Sequence, residues 1–422
     1  MNNKHITITD YNYPLPEEKI ALFPCKNRDE SKLLVYQNGQ ISQSVFKQIS
    51  DYLDGDCMLV FNDTKVIQAR IECFKPTGSR IELFCLEPIS PSPLHTLAFE
   101  AKGACQWKCF VGNNKRFTEP LSLEFAHNEA KGVLHIEKLE AYRDASFRIQ
   151  FSWTPQALSF AEVLENVGKI PLPPYIKRES EEHDTERYQT IFAKEKGSVA
   201  APTAGLHFTA EVLEKIKQKN IPTASITLHV GAGTFKPVTE TCIENHVMHS
   251  EQLFFTRETI DNLLKNSGKK IVAVGTTTAR ALESLYWIGV KLAPSNSPEG
   301  GEFPSEGGVR GGLHISQWEV YEKLISKQKT VEQSLNAVLN YLNNNNLDIF
   351  HASTAMMITP YYQPKMVKGI ITNFHQPQST LLLLVSAFVG EKWREIYEYA
   401  LSRDFRFLSY GDACFFELEI KN

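Results

Sequence analysis

Three histidines stand beside segments that could bring an imidazole close to a bound ligand. His207 closes the small-residue stretch GSVAAPTAGLHFT, His229 ends a strand pattern just before a Gly-Ala-Gly turn, and His375 follows a buried strand pattern. Because imidazole titrates near neutral pH, each of the three is a candidate general base. A histidine whose nitrogens are held by structural hydrogen bonds is the alternative at each position.

Two further segments could hold an anion. The turn Gly231–Gly233 can adopt positive φ, which lets successive backbone amides point at one negative group. Thr276–Thr278 lies between a buried strand pattern and a helical pattern, where free amides and hydroxyls meet at a helix N-terminus. Arg280 follows one turn later. Simple capping of the helix by the threonines is the alternative.

These candidates follow four short apolar patterns that predict buried strands: Cys57–Phe61, Thr223–Val230, Lys270–Gly275 and Val367–Thr372. Each pattern ends in a polar cluster, and Asn62–Lys65 is the cluster after the first. Helical patterns separate the strands, which is typical of an α/β main domain with a mixed or parallel sheet and helices on its faces. In such sheets ligands bind at the carboxyl ends of the strands. The four clusters would therefore line one crevice if the strands are parallel neighbours.

A different pattern runs from about Ala69 to Trp153. Its segments alternate apolar and polar residues with a period of two and have no helical pattern between them. One pair of strands flanks the turn Pro76–Ser79, and Thr96–Phe117 is predicted to form another pair. We predict a small antiparallel β-barrel domain, residues 71–153, inserted into a discontinuous α/β catalytic domain formed by residues 1–70 and 154–422. Residues 289–312, rich in Gly, Pro and Ser, are predicted to form a flexible loop within the catalytic domain.

Composition narrows the class of protein. The chain has 422 residues, of which 42% are hydrophobic and 22% charged, as is ordinary for a globular protein. No apolar run reaches the roughly 18 residues of a membrane span, and the N-terminus lacks a signal-peptide pattern, so we expect a cytoplasmic protein. The eight cysteines are scattered without a C-x-x-C pair, which favours free thiols. His246 and His249 are three residues apart, but further ligands are not evident and no metal site is predicted.

The net charge of −4 means that a nucleic acid would need a local basic patch. The segment Gly168–Gln189 is the candidate, because its prolines favour extended backbone and its cations alternate with an aromatic ring, as in grooves that bind single strands. Its candidate contacts are Lys169, Tyr175, Lys177 and Arg178. A solvated, charged surface loop is the alternative.

Together these motifs resemble the S-adenosylmethionine:tRNA ribosyltransferase-isomerase family of queuosine biosynthesis. The matching segments, in family order from Tyr13 to Ala413, include YPLPEEKIA, RDESKLLV, VFNDTKVIQAR, GKIPLPPYIKR, GSVAAPTAGLHFT, TLHVGAGTFKPV, VAVGTTTARALES, ITNFHQPQSTLLLLVSAFVG and FRFLSYGDA. Several are weakly specific alone, but jointly they point to this family. The resemblance implies an α/β main domain with a smaller inserted β-barrel, in agreement with the patterns. The segment from Pro294 to Ile349 is longer and differently composed than in the family.

The resemblance also implies a reaction. The ribosyl part of S-adenosylmethionine, a co-substrate, moves onto the aminomethyl group of 7-aminomethyl-7-deazaguanine in tRNA and rearranges to the epoxycyclopentane of epoxyqueuosine, while adenine and methionine leave. Because the sulfonium acidifies the adjacent C5′ hydrogens, a base of modest strength suffices. The family implies no prosthetic group and no metal. We expect a monomer that binds tRNA and S-adenosylmethionine and no membrane.

The family motifs supply positions, and residue type suggests roles. The base candidates are His207, His229 and His375, and Asp63 or Asp412 could assist the departing adenine. The substrate-binding candidates are Thr203, Gly205, Gly231, Gly233, Thr234, Thr276, Thr277, Arg280, Asn373 and Phe374. Among them the glycine turn or the threonine helix start would take the methionine carboxylate, and Asn373 the ribose hydroxyls. The RNA-binding candidates are Lys169, Tyr175, Lys177, Arg178, Arg187 and Tyr188.

Two other functions are compatible with these sequence motifs. A different S-adenosylmethionine-dependent RNA-modifying enzyme, such as a methyltransferase, would release S-adenosylhomocysteine, and the missing G-x-G-x-x-G motif argues mildly against it. A non-catalytic RNA-binding module would bind tRNA regardless of S-adenosylmethionine. The polar ends of the four predicted strands make this module the weaker alternative.

Overall fold

The computed structural model describes residues 5–127, 130–231, 238, 240–294 and 313–418. Within these residues no helix is both long and apolar enough to cross a membrane. The strands, in chain order, are β1 Lys32–Gln37, β2 Gln40–Val45, β3 Cys57–Asn62, β4 Thr64–Val66, β5 Arg70–Phe74, β6 Arg80–Ser90, β7 Ala104–Gly112, β8 Leu121–His127, β9 Ala130–Ala141, β10 Phe147–Thr154, β11 Gly168–Lys169, β12 Glu195–Ser198, β13 Thr223–His229, β14 Glu251–Thr256, β15 Lys270–Val274, β16 Leu313–Ile315, β17 Ile349–Thr354, β18 Val367–Asn373 and β19 Ala413–Glu417. The helices are α1 His95–Phe99, α2 Phe160–Val167, α3 Asp184–Arg187, α4 Ala210–Gln218, α5 Arg257–Lys265, α6 Thr276–Leu292, α7 Val331–Asn344, α8 Thr380–Val389 and α9 Trp393–Ser402.

The larger sheet has ten strands in the order β16-β17-β14-β13-β3-β15-β18-β19-β1-β2. At its centre β13, β3, β15 and β18 are neighbours and run parallel. These are the four strands expected from the apolar patterns, so the prediction that they are parallel neighbours is confirmed. The flanking strands β14 and β19 are antiparallel to this group, which makes the sheet mixed.

The central strand β3 explains why apolar runs mark this sheet. All six of its residues are buried. Met58 and Val60 belong to the core on one face, which α5 to α9 cover, and Leu59 belongs to the core on the other face, where α4 packs. A parallel strand that is covered on both faces is apolar at nearly every position, so Cys57–Phe61 show a continuous apolar run and no alternation.

The second sheet is antiparallel, with the strand order β11-β5-β6-β7-β10-β9-β8. It has its own core, in which Trp107 and Phe151 are fully buried. Its end strands, β11 and β8, do not pair with each other among the described residues, so the sheet forms a curled half-barrel where a barrel was predicted. Phe160 of α2 also belongs to this core, and β11 pairs with β5, so the sheet and its core extend past residue 153.

Three local predictions differ from the structure. The segment Thr96–Phe117 contains the end of α1 and one strand, β7, instead of two strands. The helix is held by tertiary packing, because the rings of His95 and Phe99 contact Trp107. Thr276–Thr278 do not cap a helix but form its first turn, and the N-cap is Gly275 at a φ of 99°, a conformation that favours glycine. Residues 289–292 of the predicted flexible loop belong to α6, and residues 295–312 lie outside the described part of the chain.

Candidate active site

A cleft opens at the carboxyl ends of the parallel strands. Val230 after β13, Gly275 after β15 and Asn373 at the end of β18 line it, together with the N-terminal turns of α6 and α8. The space inside its walls is about 980 Å³ when the part open to solvent is counted. Of the residues predicted from sequence, those that line the cleft are Thr203, Thr276, Thr277, Asn373, Phe374, His375, Tyr175 and Tyr188.

The N-terminus of α6 gives the cleft a positive end. Its N-cap, Gly275, has no side chain to accept from the first amides of the helix, and Thr276 and Thr277 line the cleft. The N-terminus of α8 also reaches the cleft, but there the Ser379 side chain accepts from the amide of Leu382. The first amides of a helix carry partial positive charge and lack intrahelical partners. The end of α6 can therefore bind an anionic group of a ligand.

His375 is held rigidly at the cleft wall. Its backbone carbonyl accepts from the Tyr13 hydroxyl, and its backbone amide donates to the Tyr397 hydroxyl over 3.1 Å. The Nε2 atom lies 2.9 Å from the Thr372 Oγ1 atom. When Nε2–H donates to that hydroxyl, Nδ1 is left with its lone pair. Burial lowers the pKa of His375 to about 3, so the imidazole is neutral at pH 7.

His207 has a hydrogen-bond partner at each ring nitrogen. It lies beside the cleft, in a small neighbouring pocket with Ser31. Its Nδ1 is 2.8 Å from the Ser31 Oγ, and its Nε2 is 3.0 Å from the Asn373 Nδ2. Burial lowers its pKa to about 3, and the nearby Arg406 adds to the shift. The structure thus links His207 to the cleft through Asn373.

His229 lies in a different environment. Its Nδ1 is 2.9 Å from the Thr64 Oγ1, and its ring contacts His95 and Phe254. It does not line the cleft, although its neighbour Val230 does. Burial lowers its pKa to about 3. A Cβ placed on Gly197 would lie 2.4 Å from the imidazole, so the close approach of the chain at Gly197 requires glycine.

The two candidate aspartates and Arg280 also lie outside the cleft lining and are paired within the protein. Asp63 accepts from the Thr227 hydroxyl over 2.7 Å, and burial raises the pKa of its carboxyl. Asp412 accepts from the backbone amides of Lys32 and Arg406 over 3.0 and 2.8 Å. Arg280 forms a buried ion pair with Glu251.

The glycine candidates are only partly described. Gly233 and Thr234 lie outside the described residues, and Gly231 is the last described residue before that gap. Gly205 lies in a 3₁₀ turn, where a Cβ would come within 2.7 Å of the Thr190 side chain. Its contribution in the structure is close packing.

The six residues predicted to bind RNA divide into two groups. Tyr175 and Tyr188 line the cleft itself, and the Tyr175 hydroxyl is 2.6 Å from the Ser409 Oγ. The four cations are each engaged within the protein: Lys169 with Glu72, Lys177 with Glu17, Arg178 with Asp184, and Arg187 with the carbonyls of Cys25 and Lys26. Lys169 and Lys177 are nevertheless exposed.

Sequence reasoning missed the residues that support the site. Ser31, Tyr13 and Tyr397 act on His207 and His375 across 176, 362 and 22 positions of the chain. Ser31 and Tyr13 lie in segments that carry the family resemblance, which was the only signal available for them. No local pattern pairs residues at such separations.

The fold and the cleft define an α/β protein with a candidate ligand site at the carboxyl ends of parallel strands, between two helix N-termini. The chain belongs to the family of queuosine biosynthesis proteins, whose family model matches residues 8–302 and 321–416. The break in this match, residues 303–320, falls within the segment that is longer than expected for the family.

Individual relatives agree with this assignment. The chain is 38% identical over 411 residues to the S-adenosylmethionine:tRNA ribosyltransferase-isomerase of Trichlorobacter lovleyi, covering 96% of this chain and 98% of the relative. It is 36% identical over 413 residues to the protein of the same name from Halothermothrix orenii, with 96% and 98% covered. A solved structure of S-adenosylmethionine tRNA ribosyltransferase from Thermotoga maritima is 26% identical, with 96% of this chain and 99% of that chain covered and a TM-score of 0.43.

Proposed function

We propose that the protein transfers and isomerises the ribosyl moiety of S-adenosylmethionine onto the 7-aminomethyl-7-deazaguanine base of tRNA. The products are epoxyqueuosine-tRNA, adenine and methionine. The names of its relatives, at 36–38% identity over nearly the full chain, support this activity. The observation that carries the proposal in this molecule is the cleft at the ends of β13, β15 and β18, three of the four parallel strands, which brings Thr276, Asn373 and His375 together.

The cleft matches the parts of S-adenosylmethionine. The amides at the start of α6 suit the methionine carboxylate, because they present partial positive charge without a competing side-chain cap. Asn373 suits the ribose, and the partly exposed ring of Tyr175 provides apolar surface for a base. S-adenosylmethionine is a co-substrate in this proposal, with no prosthetic group and no metal.

We assign the role of base to His375. It lines the cleft, and the hydrogen bond between Nε2 and Thr372 can leave its Nδ1 lone pair available. In the proposed step Nδ1 takes a proton from C5′, whose acidity the adjacent sulfonium increases, and the electron pair remains on C5′ as the reactive centre. His207 has both nitrogens engaged, and His229 does not line the cleft, so neither is as well placed.

We also propose a domain organisation, a surface that binds tRNA and a cellular location. The separate hydrophobic cores of the two sheets support an inserted domain, predicted as residues 71–153 and extended by α2 and β11, within a catalytic domain predicted as residues 1–70 and 154–422. We propose that tRNA approaches across the exposed Lys169 and Lys177, since exchange of their surface ion pairs for phosphate contacts costs little. A monomer in the cytoplasm, where tRNA is found, completes the proposal.

The test is product analysis. The purified protein is incubated with S-adenosylmethionine and tRNA that carries 7-aminomethyl-7-deazaguanine, and adenine, methionine and modified tRNA are quantified. Equal amounts of all three support the proposal, and tRNA lacking the modified base is the control that should give none. Formation of S-adenosylhomocysteine would show a methyltransferase, and tRNA binding without any product from S-adenosylmethionine would show a binding module.

A further inference from the structure

The contact between His207 and Asn373 leaves one buried atom of the cleft wall without a partner. Asn373 is 1% exposed, and its Oδ1 has no hydrogen bond among the described residues. Its Nδ2 is the atom that faces His207. Unpaired polar atoms in protein interiors are rare, and each calls for a specific explanation.

The hydrogen-bond partners of His207 determine which end of the Asn373 amide faces the imidazole and which end has no partner. The backbone carbonyl of Arg28 lies against the imidazole and favours a protonated nitrogen there. The same carbonyl accepts from the Ser31 hydroxyl over 3.4 Å, which leaves the Ser31 oxygen as the acceptor for Nδ1–H. We assign His207 the Nδ1–H tautomer, which satisfies both contacts and leaves the lone pair on Nε2. Only the NH₂ end of Asn373 can face that lone pair, so Oδ1 is turned away from His207.

We propose that His207 is a positioning residue that orients the Asn373 amide, so that Oδ1 accepts a hydrogen bond from a ribose hydroxyl of the bound nucleoside. The inference rests on the proposed function, since it concerns how the same cleft holds S-adenosylmethionine. Oδ1 has no partner before the ligand binds, so the ligand gains a hydrogen bond without displacing another. The Oδ1 atom can only accept hydrogen bonds. It therefore favours a ligand hydroxyl, which can donate, over a carbonyl or carboxylate, which cannot.

Binding of sugar-modified ligands tests the proposal. S-adenosylhomocysteine, the sulfonium-free analogue, and its 2′-deoxy and 3′-deoxy forms are titrated into the protein in a calorimeter. The native protein should lose about tenfold in affinity for one of the two deoxy forms. Asn373→Leu should bind the parent compound about tenfold more weakly and should show no further loss with that deoxy form.

Two variants of His207 separate positioning from other roles. His207→Gln keeps an acceptor for the Asn373 NH₂ group and a donor toward Arg28, so it should keep the discrimination between the ribose and deoxyribose ligands within about threefold of the native value. His207→Phe keeps the ring shape but offers no acceptor, and it should lose the discrimination. His314→Phe is the matched control, because His314 also contacts a serine, Ser353, through Nδ1 at 2.8 Å but does not line the cleft.

Activity measurements keep the inference distinct from the proposed function. If native protein yields adenine and methionine, His207→Gln should retain the shape of the native pH profile of kcat/KM. Loss of a titrating limb with a fall of a hundredfold or more would make His207 the base and overturn the inference. Equal affinity of the native protein for all three ligands, or unchanged discrimination in His207→Phe, would overturn it as well. Native protein that binds the ligands but yields no products would refute the proposed function alone.

Discussion

Replacement of Glu283 by alanine should be one of the most destabilising single changes in this protein. The carboxylate lies in the middle of α6 with no exposed surface. It accepts from the Tyr362 hydroxyl and from the backbone amides of Lys365, Met366 and Val367, the last three over 2.8, 2.9 and 2.9 Å. Alanine would leave these donors buried without an acceptor. Each buried donor that loses its acceptor costs about 1–3 kcal/mol, so we expect the free energy of unfolding to fall by at least about 3 kcal/mol.

Urea denaturation, followed by fluorescence, measures this loss. Trp287 is a local reporter, since its indole donates to the Tyr362 hydroxyl over 2.8 Å. Glu283→Gln keeps one oxygen acceptor and should cost about 1–3 kcal/mol. Glu214→Ala, an exposed glutamate on α4, is the control and should stay within about 0.5 kcal/mol of the native protein. If Glu283→Ala lost no more than Glu214→Ala, the reasoning that this carboxylate ties the start of β18 to α6 would be refuted.

Three further changes test separate parts of the structure. His375→Gln should lower kcat by about 10²–10⁴-fold with little change in ligand affinity, and a kcat within fivefold of native would rule out His375 as the base. Burial opposes ionisation of Asp184, but its partners, chiefly Arg178, hold the carboxyl pKa below its ordinary value. Its stabilising effect is therefore present above about pH 3.9 and is lost as the pH falls through the lower folded pKa, so Asp184→Asn should destabilise at pH 7 and show a weaker acid dependence. Gly197→Ala should displace the His229 imidazole and cost about 1–3 kcal/mol in urea denaturation, and an unchanged midpoint would contradict the close contact.

The parts of the fold that sequence predicted share a physical cause. The strands of the parallel group are covered on both faces, so their composition reveals them without any knowledge of their neighbours. Helix caps are equally local, and Thr209, Thr256 and Ser379 accept from the amides of Val212, Thr259 and Leu382. The polar clusters at the strand ends could be placed together because parallel strands end on the same edge of a sheet.

The residues whose surroundings could not be predicted from sequence depend on distant contacts. Nothing near Tyr188 in the chain indicates that its ring is fully buried beside Tyr410, and its position in a charged loop favoured RNA binding instead. The proposed division of roles between His207 and His375 likewise rests on their contacts with Ser31 and Thr372, and only Thr372 lies close to its histidine in sequence. Residue type identified the candidates, whereas hydrogen-bond partners distinguish them.

The three buried imidazoles also set an expectation for pH. Burial lowers the pKa of each to about 3, so His207, His229 and His375 should be neutral throughout pH 5–8. A sulfonium ligand would then meet no imidazolium in or beside the cleft, and its affinity should stay constant between pH 8 and pH 5.

Stability should respond to pH where affinity does not. Each of these histidines takes up a proton near pH 6.5 only when the chain unfolds, so stability is lost as the pH falls below that value. At pH 5 the loss is about 2 kcal/mol per imidazole, from 1.5 pH units at about 1.4 kcal/mol each. Ligand titration and urea denaturation over the same pH range measure the two quantities. Affinity that falls together with stability between pH 7 and pH 5 would mean that one of the imidazoles is charged in the folded protein, and would exclude the neutral cleft.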